Sequence, residues 1–272
     1  MAIARTLRRL LASGAAVALM SASAEPLSAQ TFHIKEADFE AQQWNVESIN
    51  AALQGFPSNA ERARTGHEIG IGYGITAAWQ LKGLLSFNTE DHETTKLRRA
   101  IMENIVVLRA LEEGKNGVGV AWFQAVEAAI ARDATNATIF GPTIILRDGK
   151  NELALNPFFE KSFGQNHTQG VDFLYGWQAR RELSEHVSIG IEGYGRIPDI
   201  GNGVPLDFQE HRIGPVLILK SGLGGTPSGP NWVGATAVAG HGTSADLELG
   251  VLFGLTEATS DVAFKANVHF NY

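Results

Sequence analysis

The sequence contains no cysteine among its 272 residues. This absence excludes a disulfide scaffold, a thiolate zinc site and a cysteine nucleophile. Charged residues make up 19% of the chain, which is below the roughly one quarter that is usual for soluble proteins. No apolar run reaches the ~20 residues that a membrane-spanning helix needs. A bundle of membrane-spanning helices is therefore excluded as well.

Positive charge is also scarce, with 22 basic against 29 acidic residues and a formal net charge of −7. Nucleic-acid binding depends on clustered lysine and arginine, so we expect no nucleic-acid partner. Hydrophobic residues are plentiful at 44%, yet the mean hydropathy is only −0.05. Apolar and polar residues must therefore be finely interleaved.

The first 29 residues have the pattern of a secretory signal peptide. Arg5, Arg8 and Arg9 form a basic head, and a short apolar stretch follows from Leu10 to Met20. This stretch is too short to span a membrane as a helix. We expect cleavage after Ala24 or after Ala29, which leaves residues 30–272 as the exported protein.

Beyond residue 65 the dominant pattern is alternation of apolar and polar residues with a period of two. Between His67 and Ile75 the odd positions are mostly large and apolar, and the even positions are Glu68 followed by glycines. Such alternation predicts β-strands. Twelve strands are predicted, within a range of ten to fourteen: 42–54, 66–76, 78–88, 97–111, 117–131, 137–147, 151–163, 171–183, 186–197, 210–220, 245–255 and 261–272. The segments 42–54 and 97–111 alternate poorly, and 97–111 is also compatible with a helix.

Two folds are consistent with half-apolar strands. In a soluble sandwich the apolar face forms a core, whereas in a transmembrane barrel it meets lipid and the polar face lines the lumen. The predicted strands approach the ~9–11 residues of a tilted membrane strand, and short connections alternate with longer ones, as in bacterial outer-membrane barrels. The polar face carries glycine and charges of both signs. We therefore predict an all-β fold, an antiparallel up-and-down transmembrane β-barrel.

The C-terminal strand carries the most specific signal. Phe270 and Tyr272 end the chain on one face, and Lys265 lies on the other. This arrangement resembles the assembly signal of Gram-negative outer-membrane barrels, although Asn267 replaces the usual glycine. A core-facing last strand of a sandwich is the alternative. The signal implies outer-membrane lipids and the barrel-assembly machinery as partners.

Several segments together resemble an uncharacterised family of proteobacterial outer-membrane barrels. These segments are His67–Leu81, Asn151–Gly164, Phe173–Leu183, His211–Leu219 and Leu247–Leu255. They are also loosely similar to the outer-membrane barrel family associated with phenol-degradation pathways. That resemblance implies a passive route for small molecules, aromatic ones included, and it transfers no functional residues.

Motifs for chemistry are weak in this sequence. Gly70, Gly72 and Gly74 alternate within a strand, whereas a dinucleotide-binding loop must open a helix. The acidic run Glu90–Glu93 has the oxygen ligands of a cation site but is typical of a solvated loop. His67 and His269 would need further converging ligands to hold a metal. No catalytic, cofactor or metal site is predicted.

Polar residues on the predicted inner face form the one functional set, which we call the lumen set. Its members are Glu152, Asn156, Glu160, Asp172, Gln178, Arg180, Glu192, Tyr194, Arg196, Arg212 and Glu248. A register slip of one residue would turn them all to lipid, at ~2–4 kcal/mol for each arginine near the midplane. A barrel of about twelve strands lies between filled eight-stranded barrels and wide porins, which favours a narrow pore.

Three functions follow from this interpretation. The first is a narrow outer-membrane pore that passes small solutes without covalent chemistry. The second is a closed barrel whose long loops, such as Asn88–Lys96 or Gly222–Gly242, carry a structural or surface-binding role. The third is a lipid-modifying hydrolase, because His241 and Ser244 are close in sequence.

Overall fold

The computed structural model describes residues 32–37, 39–55, 63–90, 94–111, 115–165, 167–222 and 244–272. They form twelve antiparallel strands. The strands are β1 (Trp44–Gln54), β2 (Ala63–Thr76), β3 (Trp79–Glu90), β4 (Lys96–Arg109), β5 (Gly117–Ala129), β6 (Asn136–Asp148), β7 (Asn151–Phe163), β8 (Asp172–Ser184), β9 (Val187–Ile197), β10 (Glu210–Gly222), β11 (Ser244–Gly254) and β12 (Val262–Asn271). A three-residue 3-10 helix, Leu206–Phe208, precedes β10. Within this part of the chain no helix is long and apolar enough to cross a membrane.

Each strand pairs with its neighbours in sequence, and the sheet closes on itself between β1 and β12. Val46 lies opposite Phe270 across this closing pair. The backbones of Trp44 and Tyr272 exchange two hydrogen bonds at 2.9 and 3.0 Å. Because of this closure, none of the twelve described strands lies at an open edge of the sheet. The predicted all-β barrel of twelve strands is therefore confirmed.

The outer wall is apolar, because the apolar residues of each alternating strand point outward. Ile69, Met102 and Ile191 are 57%, 61% and 52% exposed. Other exposed apolar side chains on the outer wall are Ile71, Leu85, Trp122, Val126, Leu146, Ile189, Leu249, Phe253 and Phe264. Soluble monomers rarely expose apolar surface on this scale. The wall has the character of a lipid-facing surface.

The segment 97–111, which the sequence left between strand and helix, is a strand. A register shift separates the pairs Ser86–Arg99 and Phe87–Leu97. This bulge inserts Arg98, so that both Arg98 and Arg99 are buried. A β-bulge breaks the period of two in sequence, and this explains why the alternation is weak here.

The two ends of the barrel carry different connections. The turns at 77–78, 149–150 and 185–186 lie at the end where β1 begins and β12 finishes, and the connections 91–95, 164–171 and 198–209 lie at the other. β10 ends and β11 begins at the end with the tight turns. The loops Asn88–Lys96 and Gly222–Gly242 therefore belong to opposite ends. Most of the second loop lies outside the described residues, as does the predicted signal peptide.

Candidate functional site

The structure places the whole lumen set on the inner wall of the barrel. Alternation along β7 buries every second residue, including Glu152, Asn156 and Glu160, while the odd-numbered residues face outward or lie half-buried. The other members lie on the inner face of β8 to β11: Asp172, Gln178, Arg180, Glu192, Tyr194, Arg196, Arg212 and Glu248. The most exposed of these side chains is that of Arg196, at 24%. The set faces the interior and is shielded from solvent.

Lys265 of β12 lies at the centre of a buried charge cluster. Its ammonium group, which is 0% exposed, lies 2.6 Å from Glu192 Oε2 and 3.0 Å from Glu248 Oε1. It also donates to the hydroxyl oxygen of Tyr194 at 2.9 Å. Gln178 donates to both carboxylates, at 3.1 and 2.6 Å. One cation thus neutralises two carboxylates from strands that are not adjacent.

Arginines form a second set of pairs along the inner wall. Arg147 is 2.8 Å from Glu152, which also accepts a hydrogen bond from Arg180. Nearer the end with the longer connections, Arg196 lies 2.5 Å from Asp172 and 3.1 Å from Glu160. Burying a charge without a partner is costly. These pairs therefore explain how so many ionised groups are accommodated inside the barrel.

A sector of the inner wall is apolar, so the expectation of a polar lumen holds for only part of it. The ring of Phe123 on β5 stacks on Phe158 of β7 at a centroid distance of 4.8 Å. Their apolar neighbours on the inner face of β4 to β7 are Ile101, Ile105, Ala121, Ala125, Ile139, Ile145 and Ala154. The interior of the barrel therefore combines a charged sector with an apolar one.

The feature that sequence reasoning missed is a chain segment inside the barrel. Residues 32–37 and 39–43, which we call the N-terminal segment, precede β1 and lie against the inner wall. Phe32, Ile34 and Phe39 are 0%, 5% and 2% exposed. The alternation of Phe32 and Ile34 with His33 and Lys35 was the available signal. This alternation covers only four residues, which is too short to distinguish a segment inside the lumen from a thirteenth strand.

Polar contacts hold the N-terminal segment at its middle. Asn156 on the wall accepts a hydrogen bond from the Lys35 backbone at 2.6 Å and donates one back to its carbonyl at 2.9 Å. The Lys35 ammonium pairs with Glu103 at 2.7 Å. Glu36 pairs with Arg180 at 2.8 Å. The wall thus satisfies both the backbone and the charges of the segment.

Aromatic contacts and a close approach to a glycine hold the two ends of the N-terminal segment. Phe32 packs edge-on against Tyr194, and its carbonyl accepts a hydrogen bond from Lys265 at 3.3 Å. At the other end the Gln42 backbone donates to the Gly74 carbonyl at 2.6 Å. A Cβ atom on Gly74 would lie 1.9 Å from the carbonyl oxygen of Glu40. The glycine is thus needed for the close approach of the segment.

The remaining sequence-predicted residues lie away from the charge cluster or outside the described residues. Phe270 and Tyr272 are 43% and 49% exposed on the outer face of the closing pair. Ser244 begins β11 and accepts a hydrogen bond from Asn271 at 3.3 Å. His241 and the stretch 91–93 lie outside the described residues. His67 faces outward, with its Nδ1 3.0 Å from Asn50 Oδ1.

No family model and no curated protein matches the sequence. The structure is similar to an outer membrane channel from Pseudomonas putida F1, with a TM-score of 0.54 and 12% identity over 88% of this chain and 99% of that one. The KdgM porin has a TM-score of 0.49 and 7% identity over 84% and 99% of the two chains. For the NanC porin the values are 0.47 and 8%, over 82% and 98%. The first of these similarities shows a shared barrel fold.

Proposed function

We propose that this protein is an outer-membrane barrel that passes small solutes through its lumen by diffusion, without covalent chemistry. The observation that carries the proposal is a closed wall wide enough to hold an extended peptide segment. Such a chain with its side chains is ~10 Å across. A wall that encloses it also encloses room for small solutes once the segment moves.

The N-terminal segment is joined to the wall by hydrogen bonds and ion pairs, so it is able to shift without breaking a strand. Both Lys35 and Glu36 pair with wall residues. Solute selection would come from lumen width and from the charges on the inner wall. The lumen set supplies those charges.

The proposed location is the outer membrane of a Gram-negative bacterium, reached through cleavage of the signal peptide at residues 1–29. The apolar outer wall supports contact with lipid, and the closing strand with Phe270 and Tyr272 supports insertion by the barrel-assembly machinery. The fold similarity to an outer membrane channel agrees with this location.

The proposed solutes include small aromatic molecules. The apolar sector of the inner wall offers Phe123 and Phe158 as stacking partners, and the Lys35 ammonium lies 5.7 Å from the Phe123 ring centroid. The sequence resemblance to barrels of phenol-degradation pathways points to the same solute class. Liposome swelling with free phenylalanine, an aromatic solute whose charges prevent it from crossing lipid unaided, compared with glucose, a sugar of similar mass, tests this preference.

The test of the pore is planar-bilayer conductance together with liposome swelling. The mature protein is compared with a variant that lacks residues 32–39. We expect small conductance steps from the mature protein and larger ones from the deletion variant, because the segment occupies the lumen. If the correctly folded deletion variant gives neither current nor solute entry, the pore proposal is wrong.

A closed barrel is the second candidate, and the segment inside the lumen favours it. In that case deletion of Asn88–Lys96 abolishes the biological role while permeability stays unchanged.

A hydrolase would need a serine on the outer face near lipid, but Ser244 shares the inner-facing parity of Asp246 and Glu248. Retention of all lipase activity after Ser244→Ala would reject it as the nucleophile.

A further inference from the structure

Three potential metal ligands converge inside the barrel. They are His33 of the N-terminal segment, Glu248 of β11 and His269 of β12, and their ligand atoms all lie within 4.8 Å of one another. The two imidazole rings are tilted by 34° with centroids 4.9 Å apart. The sequence places His33 more than 200 positions from the other two, so only closure of the barrel brings them together.

Buried polar atoms beside this cluster lack hydrogen-bond partners. Among the described residues, His33 Nδ1, Asn45 Oδ1 and Glu47 Oε1 have none. Asn45 and Glu47 are only 6% and 1% exposed. Two of these atoms are oxygens that only accept, and an imidazole nitrogen accepts when it is deprotonated. Buried acceptors without donors are costly, and the positive charge of a cation in this region would offset part of that cost.

A cavity of about 100 Å³ adjoins the cluster. His33, Glu248, His269 and Asn45 line it together with Asp246. A water molecule occupies about 30 Å³ in the liquid, so the cavity has room for an ion and coordinated water. The site therefore offers ligands, second-layer oxygens and space in one place.

The cations around the cavity have carboxylate partners, which reduces their repulsion of a metal ion. Lys82 is bound to Glu47 at 2.7 Å, and Lys265 is bound to Glu192 and Glu248. Arg180 is paired with Glu36. Lys220 also lines the cavity, and Asp246 is its cross-strand neighbour on β11. Among the described residues, each of these cations therefore has a carboxylate close by.

We propose that His33, His269 and Glu248 form a binding site for a divalent transition-metal ion such as Zn²⁺, which ties the N-terminal segment to the barrel wall. Imidazole and carboxylate ligands suit zinc, whereas calcium and magnesium prefer oxygen ligands alone. Tetrahedral zinc holds its ligand atoms ~3.3 Å apart. The side chains therefore need to close by about 1.5 Å at most, and His33 lies on a segment free of strand pairing.

The test is isothermal titration of the tag-free mature barrel in detergent with zinc chloride. We expect one zinc ion per chain, and His33→Ala and His269→Ala should each weaken binding by about tenfold or more. His186→Ala, in the exposed turn between β8 and β9, is the matched control and should bind as the parent does. Glu248→Gln keeps hydrogen-bonding capacity for Lys265 while it removes the ligand charge.

Two results would overturn the site: no zinc binding by the parent barrel, or unchanged binding by His33→Ala. Heat-modifiable gel mobility checks that each variant is folded, and His33→Gln serves as a second variant off the strands. Zinc binding does not depend on conductance. The zinc site can therefore be correct even if the barrel does not conduct, and the barrel can conduct even if it does not bind zinc.

Discussion

At the scale of single residues, the interior depends on a few cations that each neutralise more than one carboxylate. Sequence parity predicted which polar side chains belong to the lumen set, because alternation along a strand directly reports the face. It did not predict their partners. Lys265 on β12 meets Glu192 on β9, and the contact is formed only because the sheet is closed.

Replacing Lys265 by Met is expected to destabilise the barrel by about 3–5 kcal/mol, the cost of leaving a buried partner charge alone. Equilibrium unfolding by urea in lipid vesicles measures this loss. Lys161→Met is the control, since Lys161 donates to a backbone carbonyl, that of Gly170, at 2.6 Å and forms no ion pair within the described part of the chain.

Adding Glu192→Gln to Lys265→Met should recover part of the lost free energy, because it removes one uncompensated carboxylate. The two substitutions are in contact and are therefore not additive. Equal small effects of Lys265→Met and Lys161→Met would show that the cluster does not hold the interior together.

At the scale of elements, the glycine-rich face of β2 and the N-terminal segment depend on each other. The alternating Gly70, Gly72 and Gly74 leave room on the inner face of β2, because glycine has no side chain. At Gly74 that room is occupied by the Glu40 backbone of the N-terminal segment, whereas Gly72 is approached by Asn45 of β1. The pattern of small residues is visible in the sequence, but the sequence does not show which part of the chain packs against it.

Gly74→Ala should loosen the N-terminal segment, because the added methyl group overlaps the Glu40 carbonyl. Overpacking of this kind costs about 1–3 kcal/mol. The measurement is the rate of trypsin cleavage after the buried Lys35, which should rise about fivefold or more. Gly83→Ala on β3 is the control, because a Cβ there meets no atom within 4 Å. Equal cleavage rates in both variants would contradict the proposed fit.

The outward face of β9 offers a test of the lipid-facing assignment. Ile191→Arg should destabilise the barrel by about 2–4 kcal/mol in a bilayer, the cost of a cation near the midplane. Ile200→Arg, which lies beyond the strands and is similarly exposed at 43% against 52%, should cost only about 0–1 kcal/mol. Urea unfolding in lipid vesicles gives both values, and similar costs at the two sites would argue against a surrounding bilayer.

At the scale of the whole molecule, the barrel closes when the last strand pairs with the first. Removal of Phe270–Tyr272 deletes the Trp44–Tyr272 hydrogen bonds and the aromatic end of the proposed assembly signal. We expect a large loss of folded barrel from the outer-membrane fraction, measured as the heat-modifiable band. Tyr272→Phe keeps the aromatic ring and should assemble normally. Normal assembly of the truncated chain would remove the signal from the proposal.

The sequence alone determined the strands, their number and the direction in which most side chains point, because a period of two is a local property of extended backbone. The bulge at Arg98 and the apolar inner face of β5 weaken that pattern. Only the tertiary structure decided what fills the barrel, which charges pair and where His33 meets Glu248 and His269. Those contacts join residues distant in sequence, and no local pattern encodes them; they exist because twelve strands curve into one closed wall.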